Sequence, residues 1–350
     1  SVRLNRSGLE NTSAQIMKPQ KRHYADVFFI IGRSPDLNLR NLKFAGSFFP
    51  KDPVALHDLL DSFDTELSHK NAVTQAPPIA IIAPHAGYQF SGKLAAAAYA
   101  SCGPQRPERI VILSPSHRCR FDGIAVAGYQ AYDVAGQVLP LDEDLRRDLV
   151  SRGWVQHHDA AHEDEHGIET QLPFISRHFK GARVLPLVIG NTTPQAVAAV
   201  IDQIMSQVQE KLLLVLSSDL SHFHDHDAAQ KLDAQTAGLI ETGQFDGLGP
   251  TLACGHLAIA GFLASAAGQA THVLRLAMSD SFAVTQDAKR VVGYGAWAFF
   301  PTECEILSPI HRETLLRVAR QGTGMFLNAG RKPHIMLNSF AAPLQGYMPC

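Results

Sequence analysis

Short, wholly apolar runs alternate along the chain with longer stretches whose apolar residues recur every three to four positions. Runs of the first kind read as strands buried on both faces, and stretches of the second kind as helices laid over them. The ordered part is predicted to open near Leu42 in LKFAGSFFPKDP, with a helix from Pro53 to Leu67. Ile79 to Ala83 predicts a buried strand that ends at Pro84 and His85, and Ser91 is placed as the cap of the alanine-rich helix that follows. Arg109 to Leu113 repeats the pattern, with Ser114 to His117 just beyond it. GIAVAGYQAY predicts a less buried strand, and LDEDLRRDLVSRG a surface helix with an acidic first turn. HHDAAHEDEHGIETQLPFISRHF reads as a polar loop running into a helix, and RVLPLVIG as a strand. TTPQAVAAVIDQIMSQVQEK predicts a helix capped by Thr193, with Pro194 at its first position. LLLVLSSDLSHFHDHD starts as a strand and ends in Asp and His. Asp225 to Ile240 and CGHLAIAGFLASAAG predict helices, and THVLRLAMS and RVVGYGAWAFF late strands.

Such alternation predicts an α/β protein with helices on both faces of a mixed or mostly parallel sheet. Ligands of open sheets of this kind bind beyond the carboxyl ends of the strands, where His85, His117, Asp219 and His222 fall. One α/β domain is expected over residues 42–300, after a polar, aperiodic stretch 1–41 that reads as a flexible leader and before an extension 301–350 of little periodicity.

With 31 Lys+Arg against 33 Asp+Glu, the net charge of −2 gives no polybasic footprint, which argues against nucleic acid as a partner. Five cysteines, odd in number and without a CxxC pair, suggest neither a disulfide scaffold nor a thiolate zinc knuckle, so a reduced, cytoplasmic setting is expected. No run is long and apolar enough to predict a membrane span. Seventeen histidines stand out, because histidine is the commonest metal ligand and titrates near neutrality.

Four groups of residues carry candidate chemistry. His85 and His117 each follow a predicted core strand in a Pro-containing loop. HEDEHGIE resembles the HExxH motif of zinc proteases only superficially, since Gly167 intrudes where that helix would continue, yet His166 and Glu169 lie one helical turn apart and are candidates to orient substrate or water. Asp219 and His222, three residues apart after an apolar strand, are candidates to orient each other or to face one metal or substrate, ahead of His224 and His226. Cys254 precedes an apolar helix whose amino terminus is expected to lower its thiol pKa, favouring metal binding or nucleophilic reactivity.

The stations AGSFFP, APHAGYQFSG, SPSH, EHGIETQLPF, SSDLSHF, CGHLAI and GYGAWAF, in this order from about Lys43 to Phe299, resemble the Memo family, also described as component B of the Ammecr1, Memo and radical-SAM associated set. The resemblance implies a three-layer α/β/α fold similar to class III extradiol dioxygenases, which use non-haem Fe(II). It implies His85, His117 and Cys254 as metal ligands, His222 at the position of a catalytic base and Asp219 as its neighbour. It also implies Ammecr1-like and radical-SAM proteins as partners, beside a small-molecule or peptide ligand. Cys254 replaces the carboxylate that usually completes the dioxygenase site, so copper or zinc competes with Fe(II) as the expected metal. The reaction implied is that of a metal-dependent oxidoreductase, with zinc-dependent hydrolysis and a non-catalytic metal- or peptide-binding adaptor as alternatives. ETLLRVARQGTGMFLNAGRKP resembles the start of an Ammecr1 domain, of which too little chain remains for a whole module.

Overall fold

The computed structural model describes residues 38–68, 77–104, 106–208 and 211–302. Most of the predicted leader and nearly all of the extension 301–350, with its Ammecr1-like stretch, lie outside the described residues. The described chain holds strand already at Leu39–Asn41, three residues before the predicted entry at Leu42.

The strands in chain order are β1 (Leu39–Asn41), β2 (Ala80–Ala83), β3 (Arg109–Pro115), β4 (Ile124–Val126), β5 (Ala131–Val134), β6 (Gln137–Pro140), β7 (Gln156–His157), β8 (Arg183–Ile189), β9 (Leu212–Ser217), β10 (His222–His224), β11 (Thr271–Asp280) and β12 (Val291–Pro301). The main sheet runs β7-β4-β8-β3-β9-β2-β12, and β10 and β11 also pair with β12. Its centre, β8, β3, β9 and β2, is parallel, whereas β4 and β12 flank it antiparallel, so the sheet is mixed. A second small sheet, β1-β5-β6, carries Arg40.

Alternation along the central strands sends side chains to two separate cores. Ile110 and Ile112 join Leu60, Phe63, Tyr99 and Phe174 on one face. Val111 and Leu113 join Val197, Ile201, Ile259 and Phe262 on the other. Helices Pro53–Ser68, Tyr88–Ala100 and Leu172–His178 thus cover the first face, and Pro194–Gln207 and His256–Ala264 the second. The result is an α/β/α sandwich in which helices on both faces bury a parallel sheet centre. The cap on Pro194–Gln207 is as predicted, with Thr193 Oγ1 accepting from Ala196 N at 3.2 Å.

Three local expectations are corrected. Ser91 is not a cap: the helix begins at Tyr88, whose N–H is satisfied by Phe48 O, and Ser91 is buried inside the helix with Oγ directed to Ala86 O. GIAVAGYQAY runs through one buried strand and into a second rather than forming one less buried strand, since β4 lies between β8 and β7 and β5 lies between β1 and β6. The helix Glu143–Ser151 is not wholly a surface element either. Arg146 turns inward, where its guanidinium donates to the carbonyls of Ala127 and Tyr129.

What positions the site is the common direction of β2, β3 and β9. Their carboxyl ends release the chain into the loops of His85, His117 and Asp219 on one edge of the sheet. β12 supplies a further residue to the same edge. It pairs with β2 through Trp297, Ala298 and Phe299, runs on past the end of β2, and there pairs Val292 with His222 of β10.

Candidate metal centre

His85, His117 and Cys254 come together although 169 residues separate the first from the last. Their ligand atoms lie within 4.8 Å of one another, and Cys254 Sγ is 3.2 Å from His85 Nε2. Each element arrives for a local reason. β2 and β3 end where apolar sequence gives way to Pro84 and Pro115, and the two histidines follow within two residues. Cys254 is brought by the tight seat of the next residue, where Gly255 N donates to Ser218 Oγ at 2.9 Å and a Cβ would lie 2.6 Å from Ser217 O.

The hydrogen bonds behind the two imidazoles fix which nitrogen faces the site. Ser217 Oγ donates its proton to Gly167 O at 2.6 Å and accepts from Gln171 Nε2 at 3.0 Å. Its remaining lone pair faces His85 Nδ1 at 2.9 Å, so Nδ1 carries the proton and Nε2 is a free lone pair. His117 Nδ1 lies 2.7 Å from Glu165 Oε1, a carboxylate that only accepts, so Nδ1 carries a proton and Nε2 is the nitrogen left for the site. Glu165 further accepts from the backbone N–H of His117 and of Gly167, which locks loop and ring together. Gly167 is required here, since a Cβ would lie 2.4 Å from Ser114 Oγ and 3.2 Å from His85 Nδ1. Carboxylate–histidine and hydroxyl–histidine pairs of this kind orient ligands for a metal.

Burial sets the charges. It holds His85 far below the ordinary histidine value, helped by the neighbouring His117, and it pushes His166 down to about 4. Glu165 stays below the ordinary carboxylate value because the His117 hydrogen bonds and charge outweigh its burial. Burial raises Asp219 to about 7, with its Oδ1 accepting from His85 N at 2.8 Å. The predicted lowering of the Cys254 thiol is not found. Burial and the nearby Asp219 push it well above the ordinary cysteine value, and the helix starts only at His256. The thiol therefore keeps its proton and donates it to the free Nε2 of His85.

An ion taken up by this trio displaces that proton. About one proton is expected to leave Cys254 per ion, and affinity to rise about tenfold per pH unit around neutrality. Calorimetric titration in buffers of different ionisation heat counts the protons, and a value near zero would exclude Cys254 as a ligand.

The other predicted site residues divide. His222 lies at the same edge; its Nδ1 donates to Leu220 O at 2.8 Å, which leaves Nε2 as an acceptor, and burial holds it below the ordinary value. Leu220 O, rather than Asp219, is the described partner that orients it. The His166 ring packs 4.4 Å from that of His117 and 4.8 Å from Phe48. Glu169 is turned away from them: Oε1 accepts from Arg40 and Oε2 from Phe44 N, so it anchors the segment that carries Phe44 and Phe48. His226 is the first residue of a helix capped by Asp225 and pairs with Asp280, outside the trio. Sequence reasoning did not single out Glu165, Ser217, Gln171 or Arg40. Glu165 and Ser217 stood inside quoted motifs, whereas Arg40 gave no chemical signal.

A cavity of about 610 Å³ opens beside Cys254. The ends of β3 and β8 and the start of helix His256–Ala264 form its walls, with Phe121 and Leu257 as apolar surface and Arg120, Asp122, Asn191 and His256 as polar groups. Its size suits a small organic ligand.

Fold and site together define an α/β/α protein with a His/His/Cys group able to hold a metal at the carboxyl edge of its sheet. The family described as Memo-like protein matches residues 40–298. A MEMO1 family protein of Methanopyrus kandleri is 30% identical over 285 residues, covering 74% of this chain and 98% of its own length. Others from Sulfolobus acidocaldarius (30% identical; 71% of this chain, 95% of the relative) and Aquifex aeolicus (32% identical; 56% and 72%) match similarly. The chain belongs to the Memo family. Among the described residues no helix is long and apolar enough to cross a membrane.

Proposed function

We propose that this protein is a metal-dependent oxidoreductase that holds Fe(II) on His85 Nε2, His117 Nε2 and Cys254 Sγ and acts on a small molecule in the adjoining cavity. The observation that carries the reading is the convergence of three ligand atoms within 4.8 Å, two of them imidazole nitrogens whose opposite nitrogens are already hydrogen-bonded. The donor set fits a divalent ion: two imidazole nitrogens and a thiol that becomes thiolate on binding. Bound Fe(II) supplies Lewis acidity and electrons for oxygen chemistry at positions that three protein ligands leave open. The similarity of fold to class III extradiol dioxygenases belongs to the same reading.

The chain's own groups do the rest. His222 accepts a proton from substrate at Nε2, since Leu220 O holds its other nitrogen as the donor and burial keeps the ring neutral at pH 7. Asp219 holds the His85 backbone, and thereby one ligand, in place. Phe121 and Leu257 exclude water from an apolar part of the ligand, while Arg120, Asn191 and His256 offer polar contacts. The Cys254 thiolate is softer than a carboxylate and favours zinc or Cu(I) more than the usual dioxygenase site does.

Metal analysis of protein purified without added metal, followed by oxygen-uptake assays on a phenol and amide panel, tests the proposal. Substrate loss coupled to oxygen uptake, abolished under argon and in Cys254→Ala, is the expected result. Turnover undiminished under argon with zinc bound would establish hydrolysis instead. Stoichiometric metal binding with no turnover across the panel would establish a binding role.

A further inference from the structure

His117 belongs to two groups of candidate ligands. It stands with His85 and Cys254, and equally with Glu165 and His166, the ligand atoms of each trio lying within 4.8 Å of one another. Each trio has one buried member, His85 in one and Glu165 in the other, both 1% exposed, and two partly exposed ones; of the histidines, the side chains of His117 and His166 keep 22% and 14% of their surface. The three imidazoles form a nearly regular triangle, with centroids 5.1 Å (His85–His117), 5.2 Å (His85–His166) and 4.4 Å (His117–His166) apart, and His85 is its buried corner.

His166 has no other evident task. Among the described residues its ring nitrogens make no hydrogen bond, and its nearest charged group is Glu165 Oε1, 3.8 Å from Nδ1. Phe44 and Phe48 nonetheless hold the ring in place, at 5.8 and 4.8 Å. The segment that carries them is tied down in turn by Phe44 N to Glu169. An imidazole fixed by packing alone, beside a buried carboxylate and against His117, the more accessible histidine of the other trio, is suited to catch a cation.

We infer that His117, Glu165 and His166 form a capture site on the path of the metal ion, which passes from there to His85 and Cys254 through His117, the member common to both trios. Capture a few ångströms from the final site makes the second step intramolecular, at a high effective concentration of the ion. Metal–ligand bonds form and break, and the one other bond broken is the Cys254 S–H, whose proton passes to solvent water as the thiolate binds. The inference rests on the assignment of His85, His117 and Cys254 as the final ligands.

Stopped-flow loading of the full-length apoprotein with Co(II) under argon tests it, because thiolate coordination produces a charge-transfer absorption that reports arrival at Cys254. His166→Phe keeps the ring packing and removes the nitrogens. At limiting Co(II) it is expected to slow the appearance of the band about tenfold or more, with its final intensity and one-ion stoichiometry unchanged. An unchanged rate overturns the capture site and assigns entry to the cavity beside Cys254, and a lost or altered final band overturns it too by making His166 a permanent ligand. If His166→Phe does not fold, judged by circular dichroism, His166→Leu is read in the same way. Absence of the band in the parent protein would refute the ligand assignment itself, which separates the two failures.

Discussion

Replacing Cys254 by alanine is expected to weaken Co(II) or Fe(II) binding by about two to three orders of magnitude. Structural metal sites with four ligands bind with roughly 10–16 kcal/mol near neutral pH, so one strong ligand accounts for about 3–4 kcal/mol, and 1.4 kcal/mol is tenfold. The two imidazoles that remain are preorganised by Ser217 and Glu165, which keeps the loss from being larger. Cys254 has a second task, because its Sγ accepts from Asp219 N at 3.2 Å, and Asp219 in turn holds His85 N. Alanine therefore leaves a buried N–H without its acceptor, at a cost of about 1–3 kcal/mol in stability. Cys254→Ser separates the tasks. Its hydroxyl can accept from Asp219 N, yet it stays protonated and ligates poorly, so serine is expected to match alanine in metal affinity and to exceed it in stability. Cys254→Asp creates a two-histidine, one-carboxylate set, and is expected to recover Fe(II) more than it recovers zinc. Calorimetry and metal analysis read the affinities, and an unaltered dissociation constant in the alanine variant would remove Cys254 from the ligand set.

His85 and His117 were legible because each directly follows an apolar run that can only be a buried strand, and parallel strands bring their carboxyl ends to one edge. Cys254 was not legible in the same way. Periodicity shows only the helix after it, while its place is set by the contact of Gly255 with Ser217 and Ser218, 37 residues away for the latter. The resemblance to the Memo family implied Cys254 as a ligand, and the structure places its Sγ within 4.8 Å of ligand atoms of His85 and His117. In HEDEHGIE the acids look alike along the sequence. Which one meets the histidines is decided by the His117 loop, 48 residues earlier, that takes up Glu165, while Glu169 is buried against Arg40. Proximity in sequence did not decide whether Asp219 and His222 hold each other or only share an edge, and the described hydrogen bonds of each go elsewhere. β12 draws His222 into a short antiparallel pairing and turns its Nδ1 to Leu220 O, while Asp219 points back to His85 N. The mixed sheet was foreseen in kind but not in order, because strand neighbours such as β9 between β3 and β2 depend on crossovers that leave no local mark.

Arg40 shows the largest gap between sequence and structure, and its removal is expected to be the most damaging single change to stability. It fell in the predicted leader because LRN has no apolar alternation, and β1 exists only through its pairing with β5, some 90 residues later. In the fold its guanidinium donates to Tyr129 Oη at 2.8 Å, to the carbonyls of His162 and Glu163 at 3.0 and 2.8 Å, and to Glu169 Oε1 at 2.8 Å. The two charged side chains are 10% and 1% exposed. Breaking a buried pair by removing one partner costs about 3–5 kcal/mol, since the other charge is left without compensation. Arg40→Met, which keeps much of the side chain's bulk, is expected to lose that amount in urea unfolding. Its pH dependence distinguishes the lost pair from lost packing. Burial already raises the Glu169 pKa with Arg40 present, and without Arg40 it rises further. A carboxyl whose folded pKa lies above its unfolded value imposes no penalty while both states are protonated, and a growing one as pH rises from the unfolded value through the folded value. The deficit of Arg40→Met relative to the parent is therefore expected to be small near pH 4 and largest at neutral pH, whereas lost packing alone gives a constant deficit. Glu169→Gln in the Arg40→Met background should recover part of the loss at pH 7, by removing the stranded charge while keeping an acceptor for Phe44 N. Because that N–H ties down the segment bearing Phe44 and Phe48, Arg40→Met should also free the His166 ring, measurable as faster exchange of its ring environment by NMR. A deficit independent of pH, with the His166 signal unchanged, would show that Arg40 only fills space and does not brace the metal centre.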